Sequence, residues 1–417
     1  MSHTSRVLRT ILLVSAAHAL VHLLEQSIAS VEQVICVDFS LTLEQSGLLG
    51  SALRLPYGIG AFFAGLMADR FGEKRILVLY LAGAALTSGS FWLSDSSGMV
   101  YSQLFVLGAF ASMYHPAGLA LLANQTTPAE RARALGIHGV FGSLGIASAP
   151  FLAGLMLSIW QDDWKAYYVL LGLLSGGLAL GVWLLLKPVV HDHEVRTPNT
   201  DLAAVTGLAK PIRFQPGPYT ALVIGTALGG TVYGGVLHFL PRYLKEAGAL
   251  SVLERFSGYS ISDAALGNYA AALALVCGAF GQWLAGAMAR PKSVPVLLSI
   301  VYAGNIPMLI WMTMATGTSR LVAACLWAFV HFMNQPLYNS LLPEFLPRNR
   351  RSVGFGFSNM MGFGVGAFGP PLVAQFDERF ADYTLSYLML AGLAFVAAVL
   401  PLLLLSKSFA VREYDQA

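Results

Sequence analysis

His18, His22 and Glu25 sit four and then three residues apart in an otherwise apolar stretch, and Glu32 and Gln33 follow at the same helical rhythm. On a helix of ~3.6 residues per turn these positions share one face with Ser15 and Ala29. A charge at the centre of a bilayer costs ~2.5–3.5 kcal/mol on an insertion scale, so such a face does not meet lipid. Arg54 lies about nine residues into the next apolar stretch. That depth brings it within ~5 Å, along the axis, of either carboxylate. Pairing with Glu25 or Glu32 would offset part of the cost of burying it. Burial opposes the charge on Glu25 and Arg54 favours it, a balance suited to loading and releasing a proton. His18-x-x-x-His22-x-x-Glu25 also has the spacing of metal ligands, two imidazoles and a carboxylate on one helical face. It is not the His-Glu-x-x-His arrangement of a zinc protease. Ionisable groups within a membrane are functional by default, and a structural hydrogen-bond network between helices is the plain alternative. Glu25, Glu32 and Arg54 are assigned to proton coupling, no metal and no cofactor are assigned, and a carried or regulatory metal at the histidines is the alternative that the spacing leaves open.

The segments around these residues are those of a membrane protein. The chain is 56% hydrophobic and 11% charged over 417 residues, against about 25% charged in a soluble domain. Ten stretches free of Asp, Glu, Lys and Arg, from 76–94 to 383–406, reach the ~18 residues that a spanning helix needs. Two more, about 11–37 and 45–67, are interrupted by Glu25, Glu32 and Arg54. Twelve spans are thereby predicted, all helical, since the alternation of a barrel strand is missing. An even number of spans puts both termini on one side. Eighteen Lys and Arg fall on that side, among them Arg6, Arg9, Arg70, Lys74 and Arg75, against six on the other, including Arg242 and Arg255. This bias places both termini in the cytoplasm of a cell whose inner membrane holds the chain. The net charge of +3 therefore reports topology and implies no nucleic-acid partner. The first span is too long for a signal-peptide core and lacks a cleavage site. Cys36, Cys277 and Cys325 have neither disulfide nor zinc spacing and are read as packing residues.

The chain also repeats itself. His115-Pro116 followed by Leu121-Leu122 returns as Gln335-Pro336 followed by Leu341-Leu342, and Ala64-Gly65 returns as Ala285-Gly286. Gly136 to Pro150 corresponds to Gly356 to Pro370. The expected organisation is a six-helix half over 1–186, a proline-rich linker over 187–218 and a second six-helix half over 219–417. His191-Asp192-His193-Glu194 in the linker reads as solvated loop, and the outer loop 241–263 as a cap on the entrance.

Between the second and third spans stands Gly65-Leu66-Met67-Ala68-Asp69-Arg70-Phe71-Gly72-Glu73-Lys74-Arg75. This resembles the signature loop of the major facilitator superfamily, Gly-x-x-x-Asp-Arg-x-Gly-x-Arg/Lys-Arg/Lys, with every defining position filled. The resemblance, which extends over nearly the whole chain, implies the major facilitator fold: twelve transmembrane helices in two pseudo-symmetric six-helix halves with the substrate site at their interface. It assigns Gly65, Asp69, Arg70, Gly72 and Arg75 to gating, with Asp69 and Arg70 locking the cytoplasmic side. It also turns the first, fourth, seventh and tenth helices toward a central cavity, which puts the helix-1 stripe on the substrate path and makes His18 and His22 substrate-contact candidates. On those helices Tyr114 and His115 beside the Pro116 kink, and His331, Asn334 and Gln335 at the related place, become substrate-contact candidates. Tyr233 and His238 are weaker ones, and Met360, Met361 and Phe363 fit packing as well as lining.

Gly142-Ser143-Leu144-Gly145-Ile146-Ala147-Ser148-Ala149-Pro150, continuing to Gly154, resembles the antiporter motif of exporters, with Ala149 and Ala153 in place of glycines. The Arg that drug antiporters carry before a helix-4 glycine is Leu104 here. The helix-1 histidine with the helix-4 His-Pro is similar to the fosmidomycin-resistance branch. The expected function is proton-coupled export of a small organic molecule by a monomer in the lipid bilayer, with protons and that molecule as its partners. The alternatives are an importer, as a symporter of an organic anion or a carrier of a metal or metallophore, and a membrane sensor or assembly factor. No Walker-type phosphate loop and no nucleophile–base pair point to an ATP-driven pump or an enzyme. From the signature loop, Asp69→Asn is expected to lower transport severalfold while leaving the protein in the membrane, because the resemblance seats its carboxylate at a helix N-terminus across the halves; transport assays with quantified membrane protein check this.

Overall fold

The computed structural model describes residues 3–126, 128–186, 214–250, 261–289, 293–347, 351–380 and 383–405. The first half contains α1 (His3–Glu25), α2 (Ser27–Asp38), α3 (Leu43–Phe71), α4 (Glu73–Ser90), α5 (Ser97–Ala111), α6 (Tyr114–Gln125), α7 (Pro128–Ile159) and α8 (Trp164–Leu185). The second contains α9 (Pro216–Glu246), α10 (Asp263–Met288), α11 (Val294–Met314), α12 (Thr318–Phe332), α13 (Asn334–Leu341), α14 (Arg351–Gly366), α15 (Gly369–Phe380) and α16 (Tyr383–Leu403). Among the described residues, nine helical segments are long and apolar enough to cross a membrane, with α1–α2 and α5–α6 each counted as one. The helix Leu43–Phe71 and the segments 318–341 and 351–380 complete a set of twelve; their charges, breaks and polar residues lower their hydropathy. The protein is an all-helical, multi-pass membrane protein.

The repeat read from the sequence recurs in the backbone. Pro116 and Pro336 each occupy the third position of a helix that follows a break, at Ser112–Met113 and at Met333. A proline lacks the N–H that would bond the carbonyl four residues back, here Ser112 and Phe332, so the helix restarts. Each proline also touches the related glycine: a Cβ built on Gly65 would lie 3.8 Å from Pro116 and one on Gly286 4.0 Å from Pro336. Two further boundaries follow local rules. Gly72 joins α3 to α4 with φ +86°, a left-handed conformation open to glycine at little cost. At the start of the second half α9 begins at Pro216, inside the proline-rich segment read as linker to 218; proline suits the first turn, where its missing N–H goes unused. The rest of that linker, with His191–Glu194, and residues 251–260 of the outer loop lie outside the described residues.

The buried cores largely follow the halves and cross at the seam: one runs from Val7 to Leu186 and takes in Ala264 and Ala265, a second in the other half takes in Ile146 and Ala147, and a third lies within the second half. The halves meet along two seams, α3 against α14 and α15, and α7 against α10. Glycine permits the closest approaches. A Cβ on Gly58 would lie 2.4 Å from the Gly364 nitrogen across the first seam. One on Gly145 would lie 2.1 Å from the carbonyl oxygen of Ala19 on α1. Gly145→Val is therefore expected to lower the Tm of purified protein, costing ~1–3 kcal/mol through overpacking. Gly177→Ala, in a helix interior where a Cβ meets nothing within 4 Å, is expected to leave Tm unchanged or to raise it, by no more than ~1 kcal/mol of helix propensity; thermal unfolding in one detergent compares them.

Candidate functional site

A cavity of about 630 Å³ lies between the halves, a size usual for small-molecule sites. Its wall comes from α1, α3, α6 and α7 on one side and α9–α14 on the other. Toward the end of the molecule that carries residues 3 and 405, the terminal face, Leu119, Leu135, Asn339 and Phe355 line it. Beyond it, toward the opposite face, the halves are joined. Arg242 Nε and Nη2 donate to the two oxygens of Glu32 at 2.9 and 2.7 Å, His238 Nε2 bonds the carbonyl of Ser46 at 2.9 Å, and Ser51 donates to the carbonyl of Ala367 at 2.6 Å. Asn268 donates to the carbonyl of Ser30 at 2.8 Å. The molecule is thus sealed at the opposite face and hollow toward the terminal face.

The helix-1 stripe forms one connected chain. His18 Nδ1 lies 2.7 Å from the carbonyl oxygen of His138, and its Nε2 lies 3.2 Å from Nε2 of His22. His22 Nδ1 lies 2.9 Å from Glu25 Oε2, and Arg54 Nη1 donates to the other oxygen, Oε1, at 3.1 Å. Glu25 is fully buried, behind the cavity wall, whereas His18, His22 and Arg54 line it. The Arg54 guanidinium also stands over the Tyr233 ring at 5.1 Å, within cation–π range. Tyr233 accepts a bond from Gln26 at 2.8 Å, at the break between α1 and α2. Of the two carboxylates considered for Arg54 it is Glu25 that pairs with it, inside the first half, while Glu32 pairs with Arg242 across the halves.

His115 lines the cavity beside this chain, its ring centroid 5.4 Å from those of His18 and His22 and its Nε2 bonded to the Tyr57 hydroxyl at 2.9 Å. Tyr114, its neighbour, does not. One residue on a helix turns a side chain by ~100°, and Tyr114 points away, fully buried, donating to the carbonyl of Val14 at 2.7 Å and touching His138 Nε2 at 2.9 Å. In the second half His331, Asn334 and Gln335 all line the cavity. His331 Nδ1 bonds Asn305 Oδ1 at 2.8 Å and its ring stacks on Trp327. Gln335 accepts from Gln282, which in turn accepts from Ser143 of the first half at 2.5 Å. Tyr233 lines the cavity too, whereas His238 belongs to the seal. Phe363 lines it, and Met361 packs against the core of the second half.

Three residues of this site escaped the sequence reading. His138 stacks on His18 with ring centroids 3.8 Å apart; its only signal was a polar residue on the glycine face of α7, four before Gly142. Tyr57 looked like one more aromatic. Arg242 was counted with an outer loop, yet α9 runs through Pro241 to Glu246. The signature-loop residues lie apart from the cavity. Asp69, Arg70 and Arg75 are exposed at the terminal face and Gly65 and Gly72 partly so. Arg70 covers the Phe71 ring at 5.4 Å, and Lys74 Nζ donates to the carbonyl of Trp183 at 2.8 Å.

A sequence model of the Major Facilitator Superfamily matches residues 14–370, and the chain belongs to that family of transporters. It is 26% identical to the probable sulfoacetate transporter of Cupriavidus necator, over 87% of this chain and 85% of that one. It is 24% identical to the probable L-galactonate transporter of Escherichia coli, over 95% and 88%. In fold it is similar to a bacterial homologue of the human lysosomal transporter Spinster in an inward-facing, occupied conformation, with TM-score 0.66 and 18% identity over 94% and 95% of the two chains. The protein is a transporter of small organic molecules by family.

The Arg54–Glu25 contact yields a measurable coupling. Arg54→Leu leaves a buried carboxylate unpaired, so adding Glu25→Gln is expected to restore ~1 kcal/mol or more of the lost stability. Arg54→Leu combined with Glu32→Gln is expected to be additive within ~0.5 kcal/mol. A double-mutant cycle on purified protein reads both.

Proposed function

We propose that the protein is a proton-coupled carrier of a small organic acid, which it moves as the anion. The observation that carries this reading is the make-up of the cavity wall: the Arg54 cation and the five imidazoles of His18, His22, His115, His138 and His331, which can donate hydrogen bonds, line it, and no Asp, Glu or Lys does among the described residues. A wall of this kind complements a carboxylate or sulfonate, and arginine presents a planar fork that fits either. Sulfoacetate and galactonate, for which two relatives are named, are both such anions. The glycine-rich segment of α7 loses weight as an argument for export, since its glycines serve packing. A Cβ on Gly142 would lie 2.4 Å from the His18 ring and one on Gly154 2.9 Å from Tyr269. Symport of the anion with protons is therefore preferred to antiport.

Glu32 is the coupling group of this reading. Glu25 and Arg54 belong to the same half, so rocking one half against the other leaves their contact intact. Glu32 and Arg242 belong to different halves, and opening the sealed face must part them. A proton arriving on Glu32 at that moment removes the charge that Arg242 would otherwise leave behind. The distribution of basic residues supports placing the terminal face in the cytoplasm, with the chain acting as a monomer in the inner membrane and the described conformation open inward. Asp69 and its neighbours then stand at the open end, free to lock when that end closes.

In proteoliposomes with an imposed proton gradient, radiolabelled sulfoacetate or galactonate is expected to accumulate on the side to which protons flow. Accumulation against that direction would favour export instead. Glu32→Gln is expected to abolish uphill accumulation, at least ~10-fold, while keeping downhill exchange of the same anion, because the amide keeps the shape of the protonated acid.

A further inference from the structure

The ring nitrogens of His18 and His22 are arranged for a ligand that the transport reading does not use. The partners of each ring fix its tautomer. His18 Nδ1 faces a carbonyl oxygen, that of His138, at 2.7 Å, which only accepts, so that nitrogen carries the hydrogen. His22 Nδ1 faces Glu25 Oε2 at 2.9 Å, and Glu25 accepts from Arg54 at its other oxygen, so it too carries the hydrogen. The Nε2 atoms then present bare lone pairs to each other across 3.2 Å. Two acceptors at hydrogen-bond distance with nothing between them repel, and a cation is the missing component.

We propose that His18, His22 and His115 bind a borderline divalent transition-metal ion of the zinc class, facing the cavity. One ring nitrogen from each lies within 4.8 Å of the others, and the His115 ring centroid is 5.4 Å from both partners. A tetrahedral ion with Zn–N bonds of ~2.0–2.1 Å holds its ligand nitrogens ~3.3–3.4 Å apart. The His18–His22 pair already stands near that spacing, and only His115 has to close in. The supporting contacts are those of metal-bound histidines, which donate their second N–H to a carbonyl or a carboxylate; here these are the carbonyl of His138 and Glu25. Three imidazoles without thiolate exclude magnesium and calcium, which take oxygen ligands, and suit zinc, cobalt, nickel or copper. All three rings line the cavity, so the fourth coordination place opens into it. The only smaller cation that would satisfy the two lone pairs is a proton, and the experiment separates the two.

The proposal does not depend on which molecule the protein carries, and its test reads no flux. Full-length protein in detergent, with any purification tag removed, is titrated with cobalt(II) and, separately, zinc(II). The expected result is one equivalent of cobalt giving the visible ligand-field bands of a tetrahedral site, displaced by zinc, with zinc raising Tm as a ligand of the folded state must. Glu25→Gln is expected to weaken zinc binding ~10–100-fold, the usual effect of losing a supporting partner, and His22→Ala is expected to abolish the cobalt bands. Replacing His191 and His193 together by Ala is expected to leave both unchanged. Absence of cobalt bands in the wild type, or bands that survive His22→Ala and vanish with the His191 and His193 changes, would overturn the proposal and leave a proton as occupant. If a histidine variant does not fold, protection of His18 and His22 from diethylpyrocarbonate by zinc in the wild type, read by peptide mass, gives the same decision.

Discussion

Two carboxylates buried in one membrane helix pair constrain everything else in this molecule. Neither Glu25 nor Glu32 has exposed surface, and an ion in such surroundings persists only when a partner of opposite charge meets it in good geometry. The chain supplies an arginine to each, Arg54 at 3.1 Å and Arg242 at 2.7 Å. The first pair is internal to one rigid half, and the second ties the two halves together. One salt bridge therefore shapes a surface, holding His22 and the guanidinium against the cavity, while the other joins the halves at the closed face. Similar chemistry has two mechanical meanings because of where the partners lie.

The packing around these pairs leaves little freedom. Gly58 against Gly364 and Gly145 against Ala19 bring backbones into contact, and glycine is what permits approach at such range. Gly142 removes the side chain that would collide with the His18 ring, so the imidazole chain exists partly because a neighbouring helix lacks a Cβ. The signature loop is built on another principle: a glycine with positive φ turns the chain, with Asp69, Arg70 and Arg75 exposed around it while Glu73 is buried and accepts from Asn124.

Much of the architecture was legible in the sequence because it is written in one dimension. Span lengths, the offset of about 220 residues between halves and the signature loop are properties of local strings, and so is the depth argument that set Arg54 beside Glu25 or Glu32. What was not legible needed the third dimension. Arg242 lies 210 residues from Glu32 and follows a proline that reads as a helix end, although the helix continues through it. His138 sits in a segment whose glycines drew attention to packing, and only the stacking on His18 reveals its place. Tyr114 and His115 are adjacent in sequence and were read alike, yet a helix sends neighbours in different directions. Spacing on one helix can be read from a string; which helix faces it cannot.

The paired prolines have a consequence for how such a protein diversifies. Pro116 and Pro336 restart their helices at related places, and each rests on a related glycine. The residue before the proline, however, is an imidazole in one half and an amide in the other. The duplicated backbone supplies the joint twice, while the reactive group appears once. A duplication of this kind separates what a backbone repeats from what a side chain contributes: the break recurs in both halves, while the single position beside it differs between them.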